Sequence, residues 1–258
     1  MAPVHSRPFF ALPLFLAALI SVAPILAASA PALAQSPDRL IYLTEEYYPF
    51  NYSENGQVKG LSVDVLHMVW ERLHLQEQSI EVLPWARAYE LASHQPGTVL
   101  FTVARTPERA ALFRWAGPIA SARVVLIAKK SRKIRISSID RLGGYCIGTV
   151  RGDVAHTLLS PYLNECTLEA VSDMKQNIRK LLEDRLDLVA YEEHSWPALS
   201  KRLGVDPNQF ESVFLLRETP IYFAFHPDTP AETVAAFQQA LDAVKATPRF
   251  AELMRAYR

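Results

Sequence analysis

The residues best suited to hold a small molecule lie in Phe101-Thr102-Val103-Ala104-Arg105-Thr106-Pro107-Glu108-Arg109. A β-branched and aromatic strand ends there, and Thr106-Pro107 reads as the cap and first position of a new helix. A helix start carries unpaired N–H groups and partial positive charge, which suits an anion. Arg109, at about the third helical position, adds a planar fork matched to a carboxylate. A local surface ion pair is the ordinary role of a single arginine. Here strand end, cap and fork coincide, and anion binding is the expectation. A second segment, Glu45-Glu46-Tyr47-Tyr48-Pro49-Phe50-Asn51-Tyr52, sets four aromatic rings after a strand. Ligands of open parallel sheets bind in the crevice beyond the carboxyl ends of the strands. Tyr47 is therefore expected to wall such a crevice, and Phe50 to close the core beneath the turn. Pro84-Trp85-Ala86-Arg87 brings another ring to a strand end, as a ligand wall or as a core tryptophan.

The elements that must position these groups alternate along the chain. Strands are expected at Leu40–Leu43, Ile80–Leu83, Val99–Val103, Arg123–Ala128, Cys146–Val150, Leu168–Val171 and Leu188–Tyr191. Leu61, Val65, Met68, Val69 and Leu73 recur at helical spacing, and shorter helices are expected over Ala86–Ala92, near Val154–Leu163 and from Ser172. Two helices close the chain, the first opened by Thr229-Pro230-Ala231-Glu232, a capping box with proline at the first helical position. Such alternation implies an α/β protein with mainly parallel sheets covered by helices. Polar breaks at Lys129–Lys133 and Asp206–Gln209 set off a middle portion, which favours two lobes joined by extended crossings over one sheet.

Composition narrows the function classes. The 258 residues carry 27 basic and 27 acidic side chains and are 50% apolar. That excludes a disordered, collagen-like or multi-spanning membrane chain. Balanced charge argues against a nucleic-acid binder. No charged residue occurs from Pro8 to Pro37; Arg7 precedes the run and Ala32-Leu33-Ala34 ends it. Residues 1–34 read as a secretory signal peptide, with a membrane anchor as the other use of such a run. In an oxidising compartment Cys146 and Cys166 either form one disulfide or stay as thiols. Neither sits in a metal-ligand spacing, so no metal and no cofactor is expected.

In their order, Tyr-Tyr-Pro-Phe-Asn-Tyr from Tyr47, Gly56-x-x-x-Gly60-Leu-Ser-Val-Asp, Pro84-Trp-Ala-Arg-Ala-Tyr89 and Arg105-Thr-Pro-Glu-Arg109 resemble the family 3 extracellular solute-binding proteins. Those are the periplasmic receptors of polar amino-acid ABC importers. The resemblance runs from Leu40 to the last helix. It implies a type II periplasmic binding protein: two lobes, each a mainly parallel sheet flanked by helices, joined by two crossings and closing like a jaw. Residues 35–121 and 221–258 would form lobe one, and residues 122–220 lobe two.

Residue by residue, the resemblance makes Arg109 the clamp on the ligand's α-carboxylate. Thr102 and Ala104 match positions whose hydroxyl or backbone amide completes that clamp. Tyr47 and Trp85 match positions that sandwich the ligand side chain. Gly148-Thr149-Val150-Arg151-Gly152-Asp153-Val154 matches the turn that brings a second helix N-terminus to the cleft. Asp153 and Val154 depart from the family's usual Thr or Ser, so only backbone donation transfers. Glu192 matches the acid that receives the α-ammonium, where the family has a shorter Asp. Glu193 and His194 extend it to a possible metal cluster, but consecutive helical residues cannot all face one ion, and they read as a solvated helix start. Phe101 and Arg105 replace a small glycine- and methionine-rich pattern; Arg105 is expected to crowd the cleft or to favour an acidic ligand.

The implied function is reversible capture of a small zwitterionic or carboxylate ligand by a periplasmic monomer, whose closed form an ABC permease recognises. Hinges are expected near Ala120–Val124 and Pro220–Tyr222. Two other uses of the scaffold stay open. One is an enzyme of the cyclohexadienyl or arogenate dehydratase type, with Glu192 or Glu193 as acid–base group. The other is a soluble ligand receptor feeding a membrane sensor.

Overall fold

A computed structural model describes residues 40–162 and 167–257. The signal peptide expected over 1–34 lies outside them, as does Cys166, one of the two cysteines expected either to pair or to stay as thiols; Cys146 is half-buried just before a strand. An eight-stranded sheet runs in the order β4-β1-β5-β10-β6-β9-β7-β8. Its first half holds β1 (Ile41–Thr44), β4 (Ile80–Val82) and β5 (Thr98–Ala104), and β1 pairs in parallel with both neighbours. Its second half holds β7 (Ile147–Val150), β8 (Leu168–Val171) and β9 (Leu188–Glu192), with β7 parallel to both. Between them lie β6 (Arg114–Lys129) and β10 (Phe210–Phe225), antiparallel to each other along their length. A small hairpin, β2 (Tyr52–Glu54) with β3 (Gln57–Lys59), stands apart.

The two parallel triplets are thus the expected pair of lobes, and β6 and β10 are the two crossings. They differ from expectation in sharing one continuous ladder. Each crossing strand spans 16 residues, whereas only Arg123–Ala128 reads as strand in the sequence and β10 not at all. Proline is confined to edges or irregular points of a sheet, so Pro118 and Pro220 disguise both strands. In the structure the β6–β10 register shifts at Ile221/Phe223, beside Pro220. The two expected hinge segments lie opposite each other, with Pro220 paired to Ser121 and Ile221 to Ala120.

Helices cover both halves. The first carries α1 (Leu61–Arg72), α2 (Trp85–His94), α3 (Pro107–Ala110), α7 (Ala231–Lys245) and α8 (Pro248–Ala256); the second carries α4 (Val154–Leu159), α5 (Met174–Leu182) and α6 (Ser195–Arg202). Tyr42, Leu66, Phe101, Phe223 and Phe237 join a core in which α1 and α7 pack together. On the opposite face Leu43, Trp85, Val103, Val125, Tyr191 and Trp196 form a core with members from both halves. Two expected caps and one expected helix start differ. Pro230, not Thr229, is the N-cap of α7, and no side chain caps it, so the capping box does not form. Thr106 occupies the N-cap of α3 without a side-chain capping bond, and α3 is a single turn. Asp173 caps α5 by accepting from Lys175 N at 2.8 Å, so that helix starts at Met174.

The aromatic segment after β1 is tied to α1 through backbone. Leu61 N donates to Pro49 O and Ser62 N to Phe50 O. That approach requires Gly60, whose φ is +126° and where a Cβ would stand 2.4 Å from Phe50 O. Gly60→Ala is expected to lower unfolding free energy by about 2 kcal/mol or more in urea titration, because neither carbonyl can retreat without breaking the helix start.

Candidate functional site

Between the two halves lies a partly open cleft. All eight residues singled out from the sequence line it: Tyr47, Trp85, Thr102, Ala104 and Arg109 from the first half, and Asp153, Val154 and Glu192 from the second. Ala122 and Val124 of β6, with Thr219 and Ile221 of β10, form its floor.

Arg109 is 5% exposed. Its guanidinium lies over Trp85 at 5.1 Å and Tyr89 at 5.3 Å. Nη2 donates to Gly152 O of the opposite half at 3.0 Å, and Nη1 approaches Ala104 O at 3.5 Å. A guanidinium has five N–H donors in a fixed fork, so capacity remains for an incoming acceptor. Trp85 also donates to Gly152 O, at 2.7 Å. Trp85, expected as a ligand wall or as a core tryptophan, is a buried platform under Arg109, hydrogen-bonded across the cleft that it also lines. Tyr47 packs against Phe50 at 5.2 Å and Tyr191 at 5.4 Å, and Phe50 is buried in the core as expected. Arg105 is exposed, lies 5.7 Å over Trp115, and is absent from the cleft lining, so it does not crowd the site.

Thr102 is placed by a bulge. The β5–β10 register pairs Val103 with Tyr222 but Phe101 with Phe223, leaving Thr102 as the extra residue. A bulge re-aims side chains: Phe101 joins one core and Val103 the opposite one, though strand alternation would put both on one face. Thr102 has φ +65°, a strained value for a β-branched residue. Its hydroxyl, on a residue 5% exposed, has no hydrogen-bond partner among the described residues.

Asp153 caps α4, accepting from His156 N at 2.6 Å, so a carboxylate already occupies the helix tip expected to bind an anion. Glu192 is 1% exposed. Its carboxylate accepts from Ser195 N at 2.6 Å, Ser195 Oγ at 2.7 Å and Arg123 N at 3.2 Å, which ties β9 to α6 and β6. Glu193 pairs with Arg123 at 2.8 Å. Outside the cleft, Arg202 of α6 bonds Glu54 Oε1 at 2.8 Å and Ser53 O at 3.0 Å and lies 4.8 Å over Tyr52.

The sequence did not single out Glu45 or Tyr191. Glu45, just past the end of β1, faces the cleft. Burial first, then the Asp153 charge, pushes its carboxyl up to about 8, against the pull of Arg109. Burial likewise raises Asp153 to about 7, against the His156 amide and Arg109. The strand-end rule that flagged Tyr47 applies equally to Glu45, but two consecutive acids look like a solvated turn. Tyr191 donates to Tyr48 O at 3.3 Å across the cleft.

The model of the bacterial extracellular solute-binding proteins, family 3, matches residues 40–258. The probable amino-acid-binding protein YxeM of Bacillus subtilis (strain 168) is 30% identical over 110 residues, a stretch spanning 42% of this chain and 41% of that relative. Among solved structures, a histidine kinase sensor domain with similarity to periplasmic binding proteins aligns with TM-score 0.77 and 15% identity, over 86% of this chain and 96% of that one. An amino acid ABC transporter substrate-binding protein of Streptococcus pneumoniae, bound to L-arginine, aligns with TM-score 0.73 and 17% identity, over 85% and 94%. At such identities these structures establish the two-lobed periplasmic-binding-protein fold.

Two measurements follow from the site. Thr102→Val keeps the branched shape and removes an unsatisfied hydroxyl; urea titration should find the variant about 1 kcal/mol more stable. The pH dependence has a definite sign. Glu45 and Asp153 start from 4.5 and 3.8 and rise to about 8 and about 7, so the form with the two halves in contact binds protons. It is most favoured below those starting values and is lost as pH rises through about 7 to 8. The ligand-free radius of gyration by X-ray scattering should therefore grow between about pH 5 and about pH 8.5, and by less in Glu45→Gln.

Proposed function

Because the chain belongs to the bacterial extracellular solute-binding proteins of family 3, we propose that it captures an amino acid in the periplasm and presents it to the permease of an ABC importer. Residues 1–34 are the export signal on this proposal, and the exported chain works as a monomer. Lobe one comprises residues 35–121 and 221–258, and lobe two residues 122–220. The single observation that carries the ligand class is the buried Arg109 guanidinium, which faces the cleft with donors to spare. An α-carboxylate accepts charge-assisted hydrogen bonds there, with the Thr102 hydroxyl beside it. The α-ammonium falls to Glu192. Its oxygens already meet Ser195 N, Ser195 Oγ, Arg123 N and the exposed His194 ring, which fixes their direction; an ammonium takes the place of that ring, whose Nδ1 lies 3.2 Å from Oε1.

Closure is a hinge motion of β6 and β10 where their paired segments cross between the halves. A ligand that touches both lobes only when they are shut favours the closed form by its differential affinity, and the permease reads that form. The dehydratase alternative loses its acid–base candidates, because Glu192 is held by Ser195 and Glu193 by Arg123.

Calorimetry with the amino acids tests the proposal. At least one should bind, and Arg109→Ala should weaken that binding by about a hundredfold or more. Thr102→Val should weaken it by about tenfold. Unchanged affinity in Arg109→Ala, with the variant still folded by circular dichroism, overturns the carboxylate clamp.

A further inference from the structure

We propose that the ligand carries a second positive charge beyond its α-ammonium, received by Glu45 and Asp153 from opposite sides of the cleft, so that the substrate class is the cationic amino acids. The proposal rests on the amino-acid function above and names its side-chain specificity.

Charge balance in the cleft supports it. The lining holds Arg109 as its one basic side chain among the described residues, against the carboxyls of Glu45, Glu46, Asp153 and Glu192. A ligand with a neutral side chain brings one negative and one positive group. The first matches Arg109 and the second matches Glu192. Glu46 is exposed and accepts from Ser53 N at 3.2 Å, so it needs no ligand. Glu45 and Asp153 remain. Asp153 gives one oxygen to the His156 amide. Glu45 is held among charges, with Asp153 and Asp173 opposing its ionisation and Arg109 favouring it, and no hydrogen bond among the described residues steadies its carboxyl. A separate observation marks the cleft as built for an occupant: the unpartnered Thr102 hydroxyl lies in the same lining.

A guanidinium or ammonium between Glu45 and Asp153 replaces the protons that burial forces onto them. The charged or titratable groups facing this pair bear on that exchange: the neighbouring Glu46, Arg109 from α3, Asp173 at the start of α5, Glu192 at the end of β9, and the Tyr47 and Tyr191 hydroxyls, which burial holds in their neutral form. Because Glu45 belongs to lobe one and Asp153 to lobe two, one cation bridges both lobes. Recognition of side-chain charge and closure are then the same event, and binding releases protons near neutral pH.

The test is calorimetry of the purified chain with L-arginine, L-lysine, L-glutamine and L-glutamate near pH 7.5, in two buffers of different ionisation enthalpy. L-arginine or L-lysine should bind about thirtyfold or more tightly than L-glutamine, with proton release visible as a buffer-dependent heat. Glu45→Gln and Asp153→Asn, which keeps an oxygen to cap α4, should each cut that preference to within about threefold. Glutamine or glutamate binding as tightly as the cationic pair overturns the inference and leaves amino-acid capture standing. A preference that survives in both variants overturns the assignment of Glu45 and Asp153. Silence from all four amino acids overturns the inference, and silence from every amino acid overturns the function beneath it as well.

Discussion

A guanidinium buried between two halves of a sheet must be satisfied whether or not a ligand is present. Arg109 meets that requirement with two aromatic faces, two backbone carbonyls and the field of nearby carboxyls. One of those carbonyls, Gly152 O, belongs to the opposite half. It is a neutral acceptor in the neighbourhood where a carboxylate would be held more strongly, since charge-assisted hydrogen bonds are roughly twice as strong as neutral ones. The surroundings of Arg109 can be understood from this need. Trp85 is turned to support the fork, and its indole N–H shares the same carbonyl. Gly152, at φ +72°, lets the backbone turn under the ring, where a Cβ would stand 3.8 Å from it.

The contacts that shut the cleft fall into two kinds. At its centre are buried hydrogen bonds and rings: Arg109 and Trp85 on Gly152, Tyr191 on Tyr48, and Tyr47 on Tyr191. At its margin is Arg202 on Glu54 and Tyr52, a partly exposed pair. Exposed pairs contribute about 1 kcal/mol or less, so the margin guides closure without fixing it. The half-buried carboxyls of Glu45 and Asp153, one on each side, oppose closure until protons or a cation join them. The balance is thus poised by opposing terms of similar kind, which a small ligand can shift.

Much of this was legible from residue order. The β5–α3 segment announced Arg109 through strand end and proline, the family resemblance added Thr102 and Ala104, and the aromatic run after β1 announced Tyr47. The crossing β10 was hidden because its middle, from Glu211 to Glu218, has no alternation of buried and exposed residues and Pro220 follows. Such a strand is fixed by pairing with β6 over its whole length, a long-range fact that no local window contains. Glu45 was hidden for a related reason: its burial depends on Asp153 and Arg109, distant in sequence. The use of Trp85 as a platform depends likewise on where the Gly152 carbonyl arrives from the other half. Arg105 misled because its side chain turns outward onto Trp115 once the chain enters α3.

The local irregularities share a location. β5 is buried along all seven residues and is among the most strongly held strands, yet its bulge at Thr102 breaks strand alternation and imposes a left-handed backbone on a β-branched residue. The hydroxyl so placed is left without a partner, and two carboxyls nearby are held where burial opposes their charge. Each feature costs stability on its own. All of them face one cleft, and each becomes favourable when the cleft holds a group with a carboxylate at one end and positive charge at the other. Strain that accumulates where a ligand would relieve it, on elements rigid enough to maintain it, is what binding requires of a scaffold that must not collapse in the ligand's absence.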